Sequence, residues 1–589
     1  MFGTGAFILS ISVMIIAIIW AVILKRMSYK RGRILNPFNI LFAGVTLASL
    51  IIFLPIYGQT FAAQSYGVGE TFLLAIHNTI RLFVVDGEFS IILDNIGVIK
   101  KEFQDIYIIF AAIMFVAAPF MTFGFVLSFF KNIEAYKSFY MSYFSEMYVF
   151  SELNEQSVAL AKSLKKNGRK RSIVFTDVFE VEDEQSYELI AQAREVGAIL
   201  FKKDISVINF AFHSKQKKIV FFIIGKDDNE NVKQTFSLVK RYSECEHISV
   251  YVFTTSVNSE LTLGKSGMGK VKVRRINEVQ SLISRNLYDN GIEIFHGAVD
   301  NSEPEKEISA LVIGTGKYGT EMIKALSWFC QMDGYRLTVN AFDKDEYAEE
   351  KFVYECPELM SEKHNHDFVT EGEAHYSITI HSNIDIERKM FLDLIEKINH
   401  ATYVFIALGD DESNIQLAVK LRTWFLKRGE KPRIDAVVNN TDKKIALSGI
   451  TNYSGQEYDI NFIGDIKTSY SEEVIFHSDI EKEALSRHLK WGKEEDFWRF
   501  EYNYRSSVAS AIHRKMKKLC GIAGVDKEPC DRTEEELVGL RVLEHQRWNA
   551  YMRSEGFTYA PKRNNLAKTH HCLVPFGELS LEEQKKDDD

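Results

Sequence analysis

Apolar residues fall along this chain in runs of different kinds, and the kinds are segregated. Residues 6–24 (AFILSISVMIIAIIWAVIL) carry no charge, and further apolar stretches follow at 38–57 and 105–130. A run of about 20 apolar residues matches the hydrocarbon thickness of a bilayer, so the pattern predicts a transmembrane domain at 1–145 with three spanning helices. Lys25, Arg26, Lys30, Arg31 and Arg33 follow the first run instead of preceding it. That order argues against a cleaved signal peptide and places the 25–33 loop in the cytoplasm. The expectation is a multi-pass protein of the inner (cytoplasmic) membrane, its N-terminus outside and everything after Phe130 inside. In the outer segment 58–104, Phe72, Leu73, Ile76, Ile80, Phe83 and Val84 recur at helical spacing opposite His77, Asn78 and Arg81. Such a helix lies in the interface or dips inward. SYGVG at 65–69 reads as a glycine turn, because a carbonyl-lined ion filter needs a pore helix before it and only GQTFAAQ precedes. Pro119 and Gly124 let the third span bend, or serve packing.

From Met147 the runs shorten. MYVFS, RSIVFTDV, AILFKKDI, KIVFFIIG and ISVYVFTT alternate with helical stretches, and ISALVIG, YRLTVNAFD, HYSITIH, TYVFIALG and PRIDAVVNN repeat the scheme. Strands alternating with helices predict parallel sheets covered on both faces. The chain beyond the membrane is therefore expected to hold two Rossmann-like α/β units, at 146–300 and 306–490, and a mainly helical part at 491–589.

The second unit carries a strand, then Gly314-Thr-Gly316-Lys317-Tyr318-Gly319, then the helix TEMIKALSWF. In that context Gly314 allows a tight turn, Gly316 lets backbone N–H groups approach a pyrophosphate, and Gly319 brings helix against strand. Asp343, at the end of the next strand, stands where an acid accepts hydrogen bonds from a ribose. These residues imply an adenine nucleotide or a dinucleotide such as NAD; the same glycines also serve packing alone. With ATYVFIALGDDESNIQLAVKL at 401–421 and VFSELNEQSVALAKSL at 149–164, they resemble the regulator-of-potassium-conductance (TrkA-N) domains, ligand sensors attached to membrane transport proteins. The resemblance covers about 146–475 and adds Gly409, Asp410 and Asn414 to the nucleotide site. It departs from the family at Ser151–Asn154, where SELN replaces the glycine fingerprint, so the first unit is expected to be structural or dimerising.

Near the end, Leu543-Glu544-His545 with Arg547-Trp548-Asn549, then Glu555-Gly556-Phe557, Arg563-Asn564 and Leu573-Val574-Pro575-Phe576 resemble the ryanodine-receptor (RyR) domain family over about 535–589. The resemblance implies a ligand-sensing module; prokaryotic versions accompany nucleotide-signalling and phage-defence systems. Trp548 and Tyr559 offer faces for a base, and Arg547, Arg553, Arg563 and Lys568 offer charge for phosphate. Glu544 and His545 complete the expected site, although helical spacing lets Glu544, His545 and Trp548 equally hold the module together.

Charge and cysteine content narrow this picture. A net charge of -9 argues against a nucleic-acid partner. The six cysteines, without a C-x-x-C pair, signal neither a disulfide framework nor zinc. His364 and His366, and His570, His571 and Cys572, lack recurring carboxylate partners at ligand spacing, so no metal is expected. Without a G-x-S-x-G, P-loop or H-E-x-x-H motif, the chain is not expected to be an enzyme. The expectation is a ligand-gated membrane effector or channel controlled by a small nucleotide-derived ligand. It would be a homo-oligomer, a tetramer before a dimer, because three spans do not enclose a pore. The alternatives are a non-conducting membrane scaffold or sensor, and a membrane-tethered NAD-dependent oxidoreductase.

Overall fold

A computed structural model describes residues 2–27, 37–62, 67–129, 133–142, 145–166, 171–179, 183–210, 218–225, 227–255, 269–300, 305–365, 375–398, 400–476 and 478–587. Lys30, Arg31, Arg33, Ser65, Tyr66, Phe130 and His366 lie outside them. The chain divides into two compact units, Met1–Tyr143 with Asp177–Lys203, and Phe144–Thr176 with Asp204–Asp589.

The first unit is built on the helices Phe2–Met27, Pro37–Ala62, Val68–Phe83 and Gln104–Phe129. Among the described residues two stretches are long and apolar enough to cross a membrane, Thr4–Val22 and Lys101–Phe123, while Ile40–Ile56 is shorter. Only 22% of the most apolar part of each is buried. Ile15, Ile16, Ile19 and Trp20 on one helix and Ile109, Ile113, Val116 and Phe120 on the other are exposed, the reverse of a soluble core helix. Inside, small and polar groups let the helices meet. A Cβ on Gly44 would lie 2.4 Å from that of Ala17. Ser10 Oγ donates to Ala48 O at 2.8 Å, and Tyr107 OH to Ile52 O at 2.7 Å. Gly67 caps the Val68–Phe83 helix, its N–H donating to Glu70 Oε2 at 2.8 Å, so Val68 and Gly69 begin a helix. That helix buries Ala75, Thr79 and Leu82 and leaves Phe72, Leu73, Ile80 and Val84 exposed, because the small residues pack closer than the bulky stripe would. The segment 177–203 contributes the helix Glu184–Glu195 and Phe201, whose ring meets Tyr136 at 4.9 Å and Phe139 at 6.0 Å.

The second unit is α/β with two main sheets, parallel apart from the antiparallel edge strand Val299–Asp300, as β-branched and aromatic runs separated by helices require, and a small pairing of Thr558–Tyr559 with Thr569–His570. Strands β1 (Glu146–Phe150), β2 (Arg171–Phe175), β3 (Ile219–Ile223), β4 (Ile248–Phe253) and β5 (Lys272–Ile276) lie in the order β2-β1-β3-β4-β5. Strands β6 (Lys306–Ile313), β7 (Tyr335–Phe342), β8 (Tyr376–His381), β9 (Tyr403–Ile406), β10 (Arg433–Val437) and β11 (Asn461–Ile463) lie in the order β8-β7-β6-β9-β10-β11. Every pair among these strands is parallel, and β6 pairs with β7 over its whole length, from Lys306↔Tyr335 to Ile313↔Phe342. Along β6, Ile308, Ala310 and Val312 point to one face and Leu311 and Ile313 to the other, each face with its own core. The first of these cores continues without a break through Ile323 and Leu326 into Ile512, Met516, Leu543, Ala550 and Leu573. The C-terminal helices Ser478–His488, Glu501–Leu519 and Glu534–Ser554 thus share the second sheet's core.

Candidate functional site

In the second sheet the strand order reverses between β6 and its neighbours β7 and β9, and the glycine loop follows β6 at that point. Crevices at such reversals are where open α/β sheets receive ligands. Gly314 turns the chain with φ +90°, and a Cβ there would lie 2.3 Å from Ala407 O. Gly319 sits even tighter, because its Cβ would meet Gly314 O at 1.8 Å. Gly316 differs. It is the N-cap of the helix Lys317–Phe329, and a Cβ there would meet nothing within 4 Å. A 13-residue helix thus starts at a residue with open space beside its Cα, and helix N-termini in general suit an anion.

Asp343 is already engaged. Its Oδ2 accepts from Thr315 N at 2.5 Å and Thr315 Oγ1 at 2.8 Å, and its Oδ1 from Asp345 N at 2.9 Å. A ribose here would share its acid with the loop, because both Asp343 oxygens already accept from backbone or Thr315. Lys317 Nζ donates to Thr255 Oγ1 at 3.2 Å. Tyr318 packs against the core, and burial, then Glu278 and Asp411, push its hydroxyl up to about 12. Gly409 has φ +104°, and Asp410 caps the helix Asp411–Lys427 by accepting from Ser413 N at 2.9 Å.

Asn414, 2% exposed, spends its amide on backbone, accepting from Leu408 N at 2.7 Å and donating to Val437 O at 2.8 Å. The first sheet repeats this clip. Asn231, 1% exposed, accepts from Gly225 N at 2.9 Å and donates to Phe253 O at 2.9 Å. Both asparagines stand four residues after a capping aspartate, Asp227 or Asp410, within DDNEN and DDESN. Each ties the loop after one strand to the end of the next, a brace that sequence reading missed in the first unit although the D-D-x-x-N spacing signals it.

A larger space lies among the C-terminal helices, a cavity of about 850 Å³. Of the residues expected there, Glu544, His545, Arg547, Trp548 and Arg563 line it. Arg553, Tyr559 and Lys568 do not. At 100° per helical residue Arg553 points about 140° away from Trp548. It approaches Glu358 Oε2 at 3.8 Å, Tyr559 N donates to Glu358 Oε1 at 2.9 Å, and Lys568 Nζ donates to Glu555 O at 2.7 Å. The helix Glu534–Ser554 is fixed at its start by a capping box in which Thr533 and Glu536 exchange hydrogen bonds.

Glu544 organises the wall. Its Oε1 accepts from Arg547 Nη2 at 2.9 Å, Arg547 Nε at 3.1 Å and Ser510 Oγ at 2.8 Å, and Lys517 Nζ reaches Oε2 at 3.5 Å. Arg487 Nε donates to Ser510 Oγ at 2.8 Å, which closes the network. His545 lies between Val574 O at 2.9 Å from Nε2 and Asp587 Oδ2 at 3.1 Å from Nδ1, and burial raises the Asp587 carboxyl. Trp548 stands near-parallel to His545 and edge-on to His570. Burial, with Arg563 and His571 nearby, lowers His570 to about 4. His570, His571 and Cys572 gather their ligand atoms within 4.8 Å of one another. The two imidazoles are stacked, 6° from parallel, so their in-plane lone pairs do not converge on one ion. Arg487, Tyr502 and Ser507, on helices before residue 535, and Lys490, in the turn after the first of them, are also in the lining and carry no spacing signal toward the later motif.

No protein-family profile matches this chain, and no curated protein matches it either.

Proposed function

We propose that the chain is a ligand-gated membrane effector: a nucleotide-type messenger enters the C-terminal cavity and shifts the membrane helices between a closed and a permeable state. The observation that carries this is the cavity itself, about 850 Å³ with Trp548 and six basic side chains, Arg487, Lys490, Arg547, Arg563, Lys585 and Lys586, on its lining against four carboxylates, Glu544, Glu582, Glu583 and Asp587. That size suits a small organic ligand, and an aromatic face beside cations suits a base joined to phosphate. The membrane part is read as three spans with the 25–33 loop cytoplasmic, and the two parallel sheets as Rossmann-like units of the regulator-of-potassium-conductance kind. The loop at 314–319 is then a second nucleotide seat. Several copies, four by preference, surround the pore. Gating needs only a differential affinity of a few kcal/mol between the two states, within reach of phosphate held by arginine and backbone donors.

The test is ion flux from liposomes holding the full chain, on addition of adenine mononucleotides, dinucleotides and cyclic oligonucleotides. Flux is expected with one of these classes. Trp548→Ala removes a stacking face of about 1–3 kcal/mol and should weaken the response roughly ten- to a hundredfold. Inserted protein that never conducts would leave a scaffold. A cysteine replacing Gln64 should be labelled from outside intact cells, and one replacing Tyr29 should not.

A further inference from the structure

Two donors on the cavity wall lack an acceptor among the described residues. Arg547 is 2% exposed; its Nε and Nη2 both serve Glu544, and its Nη1 has no hydrogen-bond partner among the described residues. Ser507, 3% exposed on the helix Glu501–Leu519, leaves its Oγ without a partner in the same sense. Buried donors are nearly always satisfied, so two on one cavity wall point to an acceptor that arrives from outside. A guanidinium only donates, which makes the incoming group an oxygen acceptor, and buried positive charge makes it an anion. Glu544, the carboxylate that Arg547 touches, also takes Ser510 and Lys517, so its charge is shared with a second cation before any ligand is present. Arg563, Lys490, Lys585 and Lys586 add positive charge around the lining, partly offset by Glu582, Glu583 and Asp587, with Lys586 paired to Glu583 at 2.7 Å, so that basic groups remain in excess.

We propose that Arg547 and Ser507, with Arg487 beside them, form a phosphate seat in this cavity, built jointly by the helices Ser478–His488, Glu501–Leu519 and Glu534–Ser554. The proposal rests on the ligand-gated reading for its ligand class and deepens it, since it names the group that docks and gives half of the seat to residues outside 535–589. Phosphate suits it better than a single carboxylate, because donors on two helices then meet separate oxygens of one tetrahedral group, Arg547 through the Nη1 edge that Glu544 leaves unused.

Calorimetry on the full chain in detergent, with inorganic pyrophosphate as the probe, tests the seat without any ion flux. Pyrophosphate should bind the parent, more weakly as salt rises. Ser507→Ala should weaken it several-fold and Arg547→Gln at least tenfold. Arg547→Gln also loosens Glu544, so Ser507→Asp gives an independent check. Its carboxylate would occupy the seat against Arg547, abolishing pyrophosphate binding while the thermal midpoint stays at or above that of the parent. A folded parent that ignores pyrophosphate, or a Ser507→Asp variant that binds it as the parent does, overturns the seat. Pyrophosphate binding without nucleotide-triggered flux would uphold the seat and remove the gating reading. Flux unchanged in both Ser507→Asp and Arg547→Gln would do the opposite.

Discussion

The two parallel sheets of the second unit are built alike and differ where their first strands end. Both brace the neighbouring loop with a buried asparagine, Asn231 in one and Asn414 in the other. After β1, however, the loop is closed by side chains. Ser151 Oγ accepts from Ile224 N at 2.9 Å, Asn154 Nδ2 donates to Ile224 O at 2.8 Å, and Asn154 Oδ1 accepts from Ser157 N at 2.8 Å. After β6 the corresponding turn carries glycines, and the space before Gly316 is left open. A crevice at a strand reversal is thus an opportunity that side chains can fill, and sheet architecture alone does not make it a site.

The comparison can be broken first at Gly319. A Cβ 1.8 Å from Gly314 O must push the helix off the strand, so Gly319→Ala should cost about 3 kcal/mol, seen as a large drop in the thermal midpoint of the detergent-solubilised chain. Next come the clips: Asn231→Ala and Asn414→Ala each strand a buried N–H and a carbonyl and should each cost about 2 kcal/mol. Unequal losses would mean that the two sheets are not braced alike.

Acid should separate the sheets as well. His513, whose Nε2 lies 2.6 Å from Gln331 O, is lowered to about 3 by burial and by Lys517, and His570 to about 4. Both folded values lie below the unfolded value of about 6.5, so the unfolded chain binds more protons between them. Stability is then fully present above pH 6.5 and falls as pH drops toward 4 and 3. Asp587, raised by burial, works in the opposite sense. Because the second sheet shares its core with these helices, its tryptophans and tyrosines should report loosening at a higher pH than the first sheet, and His513→Gln should flatten the acid limb. The smallest effect on the fold is expected at Gly316. Gly316→Ala should change stability by less than about 0.5 kcal/mol, while Gly316→Val, equally well folded, should lose calorimetric binding of ADP if the open space is a pyrophosphate seat.

Much of the sheet architecture was legible because parallel strands write themselves as short β-branched and aromatic runs. The tight positions Gly314 and Gly319 were legible because a strand-turn-helix with that spacing leaves few other residues possible. Glu544, His545 and Trp548 were legible as one helix face. Arg487 and Ser507 were not, since they reach the cavity from helices far earlier in sequence, and no local period records a contact over such a separation. The same limit hid the grouping of 177–203 with the first unit: Phe201 wedges against Tyr136 and Phe139, a packing choice invisible in a strand-helix pattern.

The helix Lys317–Phe329 begins at the glycine loop, and its later turns lie against the helix Glu534–Ser554, where Trp328 meets Tyr551 edge-on at 6.3 Å. Its 13 residues make a rod of about 20 Å, with Met322, Ile323, Leu326 and Phe329 fully buried along it. A rod packed on all its inner side moves as a body or not at all. On the proposed reading, a ligand that shifts its first turn would also shift the wall that carries Glu544 and Arg547, and thermodynamic linkage would make the traffic mutual, each ligand altering affinity at the other end by the same factor.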